Sequence, residues 1–207
     1  MCPVCSHDSV SVRHLSPTTI TTELQRYYSL PRPPSPEICN QKYELMSCQN
    51  CSLEFASPMV PGSSEYYNFL ANQKGYYPSF RWEYKYVKDN FLSISSFLSL
   101  LDIGCGSGVF LDYIKDLSYI GSQGIDLSPE AVSACMNKKL IASQCDIYEF
   151  LKTARKLPDI AVSFHCLEHV KDPVQFIESL KPVCDNGGRI LRWPRFSDHW
   201  PVKISDG

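Results

Sequence analysis

The chain has 207 residues, of which 43% are hydrophobic and 12% aromatic, a composition that suits one globular domain with a small appendage. The formal net charge is -2 and no basic block occurs, so nucleic acid is not an expected partner, because binding to phosphate backbones needs clustered Lys and Arg. No stretch approaches the roughly 18 consecutive apolar residues of a membrane span, and Met1–Cys5 lacks the pattern of a secretory signal. We therefore expect a cytoplasmic protein without a membrane partner.

Two cysteine pairs with the same spacing lie in the N-terminal part of the chain. The pairs are Cys2 with Cys5 and Cys48 with Cys51. Each Cys-x2-Cys pair can present two thiolates, and two pairs complete a closed four-thiolate site, so the spacing predicts structural Zn²⁺. Cys39 and His7 are substitute ligands that do not fit the paired spacing. Four unrelated core cysteines are the alternative.

The stretch between the pairs, Ser16–Pro36, is rich in Thr and Pro. Such a composition buries little, and prolines cannot donate to a strand ladder, so we expect a long, partly ordered loop. Short strands are predicted on either side of the second pair, over Tyr43–Ser47 and Leu53–Phe55. These elements would form a module over residues 1–60.

A glycine-rich turn follows a predicted buried strand. Apolar residues run through Phe97–Ile103, and helical spacing begins near Ser107, which predicts a strand, a tight turn and a helix. The glycines are Gly104, Gly106 and Gly108, and they let the backbone approach a ligand closely. A dinucleotide fingerprint needs glycine at the sixth position, where this chain has Val109, so NAD-linked redox chemistry is disfavoured.

With Asp102 two residues before the first glycine, the turn resembles the first motif of class I S-adenosylmethionine-dependent methyltransferases. The resemblance implies a Rossmann-like α/β core with a parallel sheet over residues 98–207. The cofactor contacts that it implies at this turn are Asp102, Gly104, Cys105, Gly106 and Gly108. The cysteine pairs are likewise similar to the zinc-binding module that precedes some bacterial small-molecule and sugar methyltransferases.

Residues 61–97 are rich in aromatic side chains, and a helix is predicted over Trp82–Leu92. In the resembled enzymes a helix at this point covers the cofactor and lines the substrate pocket. We therefore expect an aromatic lid that includes Tyr76 and Tyr77. Plain core packing is the alternative for the aromatic residues at helical spacing.

Further strands are predicted over Ser122–Ile125, Leu140–Gln144 and Asp159–Phe164, and their carboxyl ends would converge on one crevice. Asp126 stands 24 residues after Asp102, at the end of the first of these strands, where an acidic side chain accepts both ribose hydroxyls of a bound nucleoside. Leu127 beside it is also expected to contact the cofactor. The resemblance assigns Asp146 and Ile147 to the adenine. The alternatives are a turn or capping role for Asp126 and a helix N-cap role for Asp146.

Two histidines near this crevice, His165 and His169, are the candidate catalytic residues, in a segment that resembles a Leu-Glu-His phrase of the family. A hydroxyl or acidic carbon acceptor needs a general base, and histidine suits neutral pH. His165 could also touch the methionine part of the cofactor, and His169 could serve structurally. Glu168 is expected to pack or cap rather than act as a base.

The predicted fifth strand, Arg189–Trp193, is followed only by residues 194–207, whereas a complete fold of this kind ends in an antiparallel hairpin. We therefore expect a truncated core whose edge strand is covered by a second copy or a partner. The expected function is methyl transfer to a hydroxyl or carbon of a small molecule, such as a sugar or metabolite. The alternative is a non-catalytic module that binds S-adenosylmethionine or, through zinc, a protein.

Overall fold

The computed structural model describes residues 1–39, 41–74, 79–92 and 98–193. The chain divides into two compact units, one of residues 1–78 and 169–174 and the other of residues 79–168 and 175–207. Tyr76 and Tyr77 of the expected lid lie outside the described residues, as do residues 194–207, on which the expectation of a missing hairpin rests. The division of the chain at residues 60 and 97 stays a prediction.

The first unit contains a three-stranded antiparallel sheet in the order β1-β2-β3. Its elements are β1 (Ser9–Leu15), α1 (Pro17–Tyr27), a 3₁₀ turn (Pro36–Ile38), β2 (Tyr43–Cys48), β3 (Glu54–Ser57) and α2 (Ser64–Ala71). The central strand β2 ends at Cys48, and Ser9 of β1 pairs with that residue. The sheet therefore brings the two cysteine-bearing segments together.

The prediction of a loop over Ser16–Pro36 is wrong, because helix α1 occupies its first half. The Ser16 side chain accepts a hydrogen bond from the Thr19 amide at 3.0 Å, and Pro17 fits the first turn, where no amide hydrogen is needed. Thr21 is buried on the inner face of the helix. Capping and burial thus outweigh the weak helix propensity of the threonines.

The second unit is a mixed α/β fold around a five-stranded parallel sheet in the order β6-β5-β4-β7-β8, which confirms the predicted Rossmann-like fold class. Its strands are β4 (Leu98–Ile103), β5 (Ile120–Asp126), β6 (Ala142–Gln144), β7 (Ile160–Phe164) and β8 (Arg189–Trp193). Its helices are α3 (Trp82–Phe91), α4 (Val109–Ile114), α5 (Pro129–Asn137), α6 (Ile147–Thr153), α7 (Pro173–Ser179) and α8 (Lys181–Asp185), the N-terminal end of α7 lying at the boundary between the units.

The central strands are apolar along their length because helices cover both faces of the sheet. Leu100, Leu101 and Val162 have no exposed surface. The strand order reverses between β4 and β7, and a crevice at the carboxyl ends of such strands is where open α/β sheets bind ligands. Within the described ranges, no helix has both the length and the apolar composition needed to span a membrane.

Candidate functional site

The glycine-rich turn joins β4 to α4, and its conformation requires glycine. Gly104, Gly106 and Gly108 have φ angles of 73°, 53° and 73°, in the left-handed region that other residues rarely adopt. The amides of Gly104 and Cys105 both donate to the Ile125 carbonyl, at 2.9 and 3.0 Å, and so fasten the turn to β5. A Cβ at Gly104 would lie 2.9 Å from the Cys166 Sγ, so the space there is also closed.

Asp126, at the end of β5, is held in a fixed orientation by two backbone amides. Its Oδ2 accepts from the Gly106 amide at 2.8 Å, and its Oδ1 accepts from the Ser128 amide at 2.9 Å. An ionised carboxylate has about four acceptor directions, so each oxygen retains one for a ligand. The glycine-rich turn therefore orients an acceptor that suits a pair of ligand hydroxyls.

Asp102, at the end of β4, is a buried carboxyl with only 2% of its surface exposed. Burial raises its pKa to about 8, and the negative charge of Asp126 acts in the same direction. The ionised form is thus disfavoured near neutral pH in the free protein. A cationic ligand group at this strand end would reverse that preference.

Asp146 lies at the N-terminus of α6, and its side chain accepts from the Glu149 amide at 2.8 Å. The structure therefore places it as an N-cap, the alternative that the sequence left open. Ile147 is buried, whereas Leu127, after β5, is 70% exposed. The roles of Asp146, Ile147 and Leu127 toward a nucleoside stay predictions.

His165 follows β7 directly and lies against the buried Glu83 of helix α3. The His165 Nε2 is 3.2 Å from a carboxylate oxygen of Glu83, and the two side chains are 13% and 9% exposed. The other ring nitrogen, Nδ1, is buried without a hydrogen-bond partner and lies 3.8 Å from a Glu168 oxygen. Burial lowers the pKa of His165, as does Arg81, while Glu168 and Glu83 oppose them.

The backbone of His165 is also unusual, because its φ angle of 53° lies in the left-handed region. For a residue with a side chain this conformation costs about 1–3 kcal/mol and persists only where the surrounding structure imposes it. Such strain concentrates at functional sites. His165 therefore combines strain, burial and an unpartnered nitrogen at one strand end.

His169 is placed differently, because it belongs to the first unit. Its Nδ1 lies 3.0 Å from the hydroxyl oxygen of Tyr67, and the two rings meet edge to face with centroids 5.3 Å apart. The Tyr67 hydroxyl also accepts from the Gly62 amide at 3.3 Å. His169 thus packs in the aromatic part of the first unit, and its catalytic role stays a prediction.

Neither Glu83 nor Ser163 was predicted to be a functional residue. Glu83 shares the buried face of α3 with Tyr84 and Val87, and an acidic residue four positions before a core valine is the signal that could have identified it. The Ser163 side chain, near the end of β7, is buried and lies against the Cys166 thiol. Its position inside an apolar strand carries no comparable signal.

The four predicted zinc ligands come together in the first unit. The Sγ atoms of Cys2, Cys5, Cys48 and Cys51 all lie within 4.8 Å of one another. The distances between them include 3.7 Å for Cys2 with Cys51 and 3.5 Å for Cys5 with Cys48. These separations are too long for disulfides, whose sulfur atoms lie about 2.05 Å apart. Hydrogen bonds from the Cys51 and Asn50 amides lower the pKa of Cys48 to about 6.

A family model described as a methyltransferase domain matches residues 75–200, more than half of the chain. The mitochondrial ubiquinone biosynthesis O-methyltransferase of Candida albicans is 32% identical over 111 residues, which cover 49% of this chain and 33% of that protein. Ajmaline N-methyltransferase of Rauvolfia serpentina is 29% identical over 102 residues, covering 45% and 34%. The chain therefore spans well under half the length of these curated relatives.

Solved structures of methyltransferases are also similar to the chain. The plantazolicin methyltransferase BpumL in complex with SAH has 30% sequence identity and a TM-score of 0.41, and the match covers 49% of this chain and 39% of that one. A SAM-dependent methyltransferase from Archaeoglobus fulgidus has 25% identity and a TM-score of 0.47, and the match covers 59% and 54%.

Proposed function

This chain belongs to the family of proteins with a methyltransferase domain, and we propose that it transfers a methyl group from S-adenosylmethionine to a hydroxyl or carbon of a small molecule. The observation that carries the proposal is the Asp102 and Asp126 arrangement around the glycine-rich turn. The Candida albicans relative, which is named for O-methylation in ubiquinone biosynthesis, favours a hydroxyl acceptor.

The residues of the turn fit such a cofactor. The oriented carboxylate of Asp126 would accept the two ribose hydroxyls, in the directions that the Gly106 and Ser128 amides leave open. The buried carboxyl of Asp102 suits a neighbouring cation, because a positive charge would compensate the cost of ionising it. S-adenosylmethionine would supply a positively charged sulfonium that carries an activated methyl group.

The protein's own contribution would be to position the acceptor and to remove its proton. His165 is the favoured base, since its Nδ1 is unpartnered and burial favours the neutral, proton-accepting imidazole. His169 is the second candidate, in which case the Tyr67 hydroxyl would orient its ring.

Calorimetric titration of the 207-residue chain with S-adenosylmethionine tests the proposal. Asp126→Asn should weaken binding about 10- to 150-fold, because a hydrogen bond to a charged group contributes roughly 1.5–3 kcal/mol. Asp112→Asn is the matched control, since it removes an acidic charge from α4 where the side chain pairs with Lys115. A folded chain that does not bind the cofactor would refute the proposal. Binding without methyl transfer to any of a panel of hydroxyl and carbon acceptors would instead favour the non-catalytic binding module.

We further propose that the four clustered cysteines hold one structural Zn²⁺. With Zn–S bonds of about 2.3 Å, the edges of a tetrahedral site are about 3.8 Å long. Three of the six separations between the thiols are 3.5–3.7 Å and approach this geometry, and all six are within 4.8 Å.

Metal analysis of the purified chain should find one zinc per chain. Cys48→Ser should lose the metal and destabilise the first unit, because it removes a ligand at the end of the central strand β2. Cys184→Ser is the control, since this exposed cysteine lies outside the cluster. A Cys48→Ser protein that retains a full equivalent of zinc would contradict the proposal.

A further inference from the structure

The contact between Glu83 and His165 joins helix α3 to the end of β7 inside the second unit. The carboxylate lies on the Nε2 side of the imidazole at 3.2 Å, and both side chains are shielded from solvent. The Nδ1 atom on the opposite side of the ring is buried and has no hydrogen-bond partner. Buried polar atoms are rarely left in this state, and where they are, backbone strain, a bound water or ion, or a catalytic role accounts for them.

We propose that Glu83 is a positioning residue, whose carboxylate accepts the Nε2 hydrogen of His165 so that the Nδ1 lone pair is directed to the hydroxyl of the methyl acceptor. This inference rests on the proposed function, which it deepens by naming the pair that prepares the base. A carboxylate that fixes the tautomer and orientation of a histidine base is a recurring arrangement in catalysis.

The groups around the ring explain why both carboxylates matter. Burial and Arg81 disfavour the protonated imidazole, and Glu168 and Glu83 favour it. The Glu83 side chain is 9% exposed and faces Nε2, whereas the Glu168 side chain is 27% exposed and lies 3.8 Å from Nδ1. Glu83 is therefore the more buried of the two carboxylates and the one in hydrogen-bonding distance of the ring.

The arrangement also specifies the class of acceptor. A neutral alcohol or phenol must lose a proton to become a good nucleophile, and an unprotonated Nδ1 can take it. The O–H bond would break and leave its electron pair on the oxygen, which bonds to the methyl carbon. The carbon–sulfur bond of S-adenosylmethionine would break with its electron pair left on the sulfur, and the proton would be held at Nδ1. The charge of the resulting imidazolium is balanced by Glu83 across the ring. An acceptor that is already ionised would gain nothing from this pair.

Nuclear magnetic resonance of the full chain with ¹⁵N-labelled histidine tests the positioning directly. We expect a downfield, exchange-protected Nε2–H signal that is absent from His165→Gln. Glu83→Met should abolish this signal, because no acceptor remains, whereas Glu168→Met is the matched control and should retain it. If Glu83→Met does not fold, Glu83→Gln should move the signal upfield, because the charged acceptor is lost. A protonated Nδ1 in the neutral ring, or a signal that depends on Glu168 instead, would overturn the inference.

The pH profile of kcat provides the second readout. Because the base must be unprotonated, activity should fall on the acid side of the His165 pKa. Glu83→Gln should lower kcat about 10- to 100-fold, the range typical of removing an orienting partner. It should also move the acidic limb of the pH profile to lower pH, because the negative charge that favours protonated His165 is lost. If the acidic limb of the pH profile does not move in Glu83→Gln, Glu83 is only a packing residue and the inference is overturned. Failure to bind S-adenosylmethionine would refute the proposed function alone, since the resonance experiment needs no cofactor.

Discussion

Three glycines of the second unit allow the cost of the left-handed backbone to be separated from the cost of a steric clash. Gly187 has a φ angle of 79°, and an added Cβ would meet nothing within 4 Å. At Gly124 a Cβ would lie 2.6 Å from the Cys105 Sγ, without a left-handed φ. Gly108 combines the two conditions, with a φ angle of 73° and contacts of 2.7 Å to Leu140 and 2.8 Å to Cys135.

Alanine at each position should therefore have a graded effect on the free energy of unfolding. Gly187→Ala should cost about 1–2 kcal/mol through backbone strain, and Gly124→Ala about 1–3 kcal/mol through overpacking. Gly108→Ala should cost about 2–5 kcal/mol, because backbone strain and overpacking both act on the added Cβ. Urea-induced unfolding followed by circular dichroism measures all three, since the substitutions lie in one compact unit. If the Gly108→Ala protein is as stable as the Gly187→Ala protein, or more stable, the packing argument for this turn is refuted.

Three further substitutions test single residues. The raised pKa of Asp102 means that the folded chain holds the Asp102 proton more tightly than the unfolded chain does. The unfolding free energy should therefore fall as pH rises from 3.8 to about 8. Asp102→Asn should remove this contribution to the pH dependence in denaturation measured across the same range. Asp146→Asn should retain the α6 cap and leave the stability unchanged, because asparagine is also a good N-cap. Weaker binding of S-adenosylmethionine by this variant in calorimetry would reveal a role for Asp146 toward the ligand. Unchanged binding would exclude such a role. Ser16→Ala should destabilise the first unit by about 1 kcal/mol in urea denaturation through loss of the α1 cap, and no loss would show that the cap is dispensable.

The parallel sheet and the glycine-rich turn were predictable because each follows from a local pattern. An uninterrupted apolar run predicts a strand covered on both faces, and β4 occupies Leu98–Ile103, where the run was found. Strand β8 coincides with the predicted Arg189–Trp193. Helix α5 also begins at a local signal, because Ser128 caps it and Pro129 fits its first turn.

Strand β1 and helix α1 were missed although each carries a local signal. Polar and apolar residues alternate over Ser9–Val12, which is a strand pattern, but most side chains of β1 are exposed, and the strand is held by its antiparallel pairing with β2. The sequence of α1 contains four threonines, whose branched side chains lower helix propensity. The loop was predicted from the composition of the whole stretch Ser16–Pro36, which includes the prolines that follow the helix. The helix-capping signal at Ser16 was therefore overlooked.

The candidate site shows where sequence patterns stop being informative. Asp126 and Asp102 could be selected because each lies at a fixed offset from the glycine-rich turn. The partners that set their chemistry could not, since the Gly106 amide reaches Asp126 only after the turn folds back on β5. Glu83 is the extreme case, because 82 residues separate it from His165. Whether that histidine is a base or a core residue depends on a contact that neither segment encodes alone. The pairing of α3 with the end of β7 therefore carries more functional information than the histidine's place in the sequence.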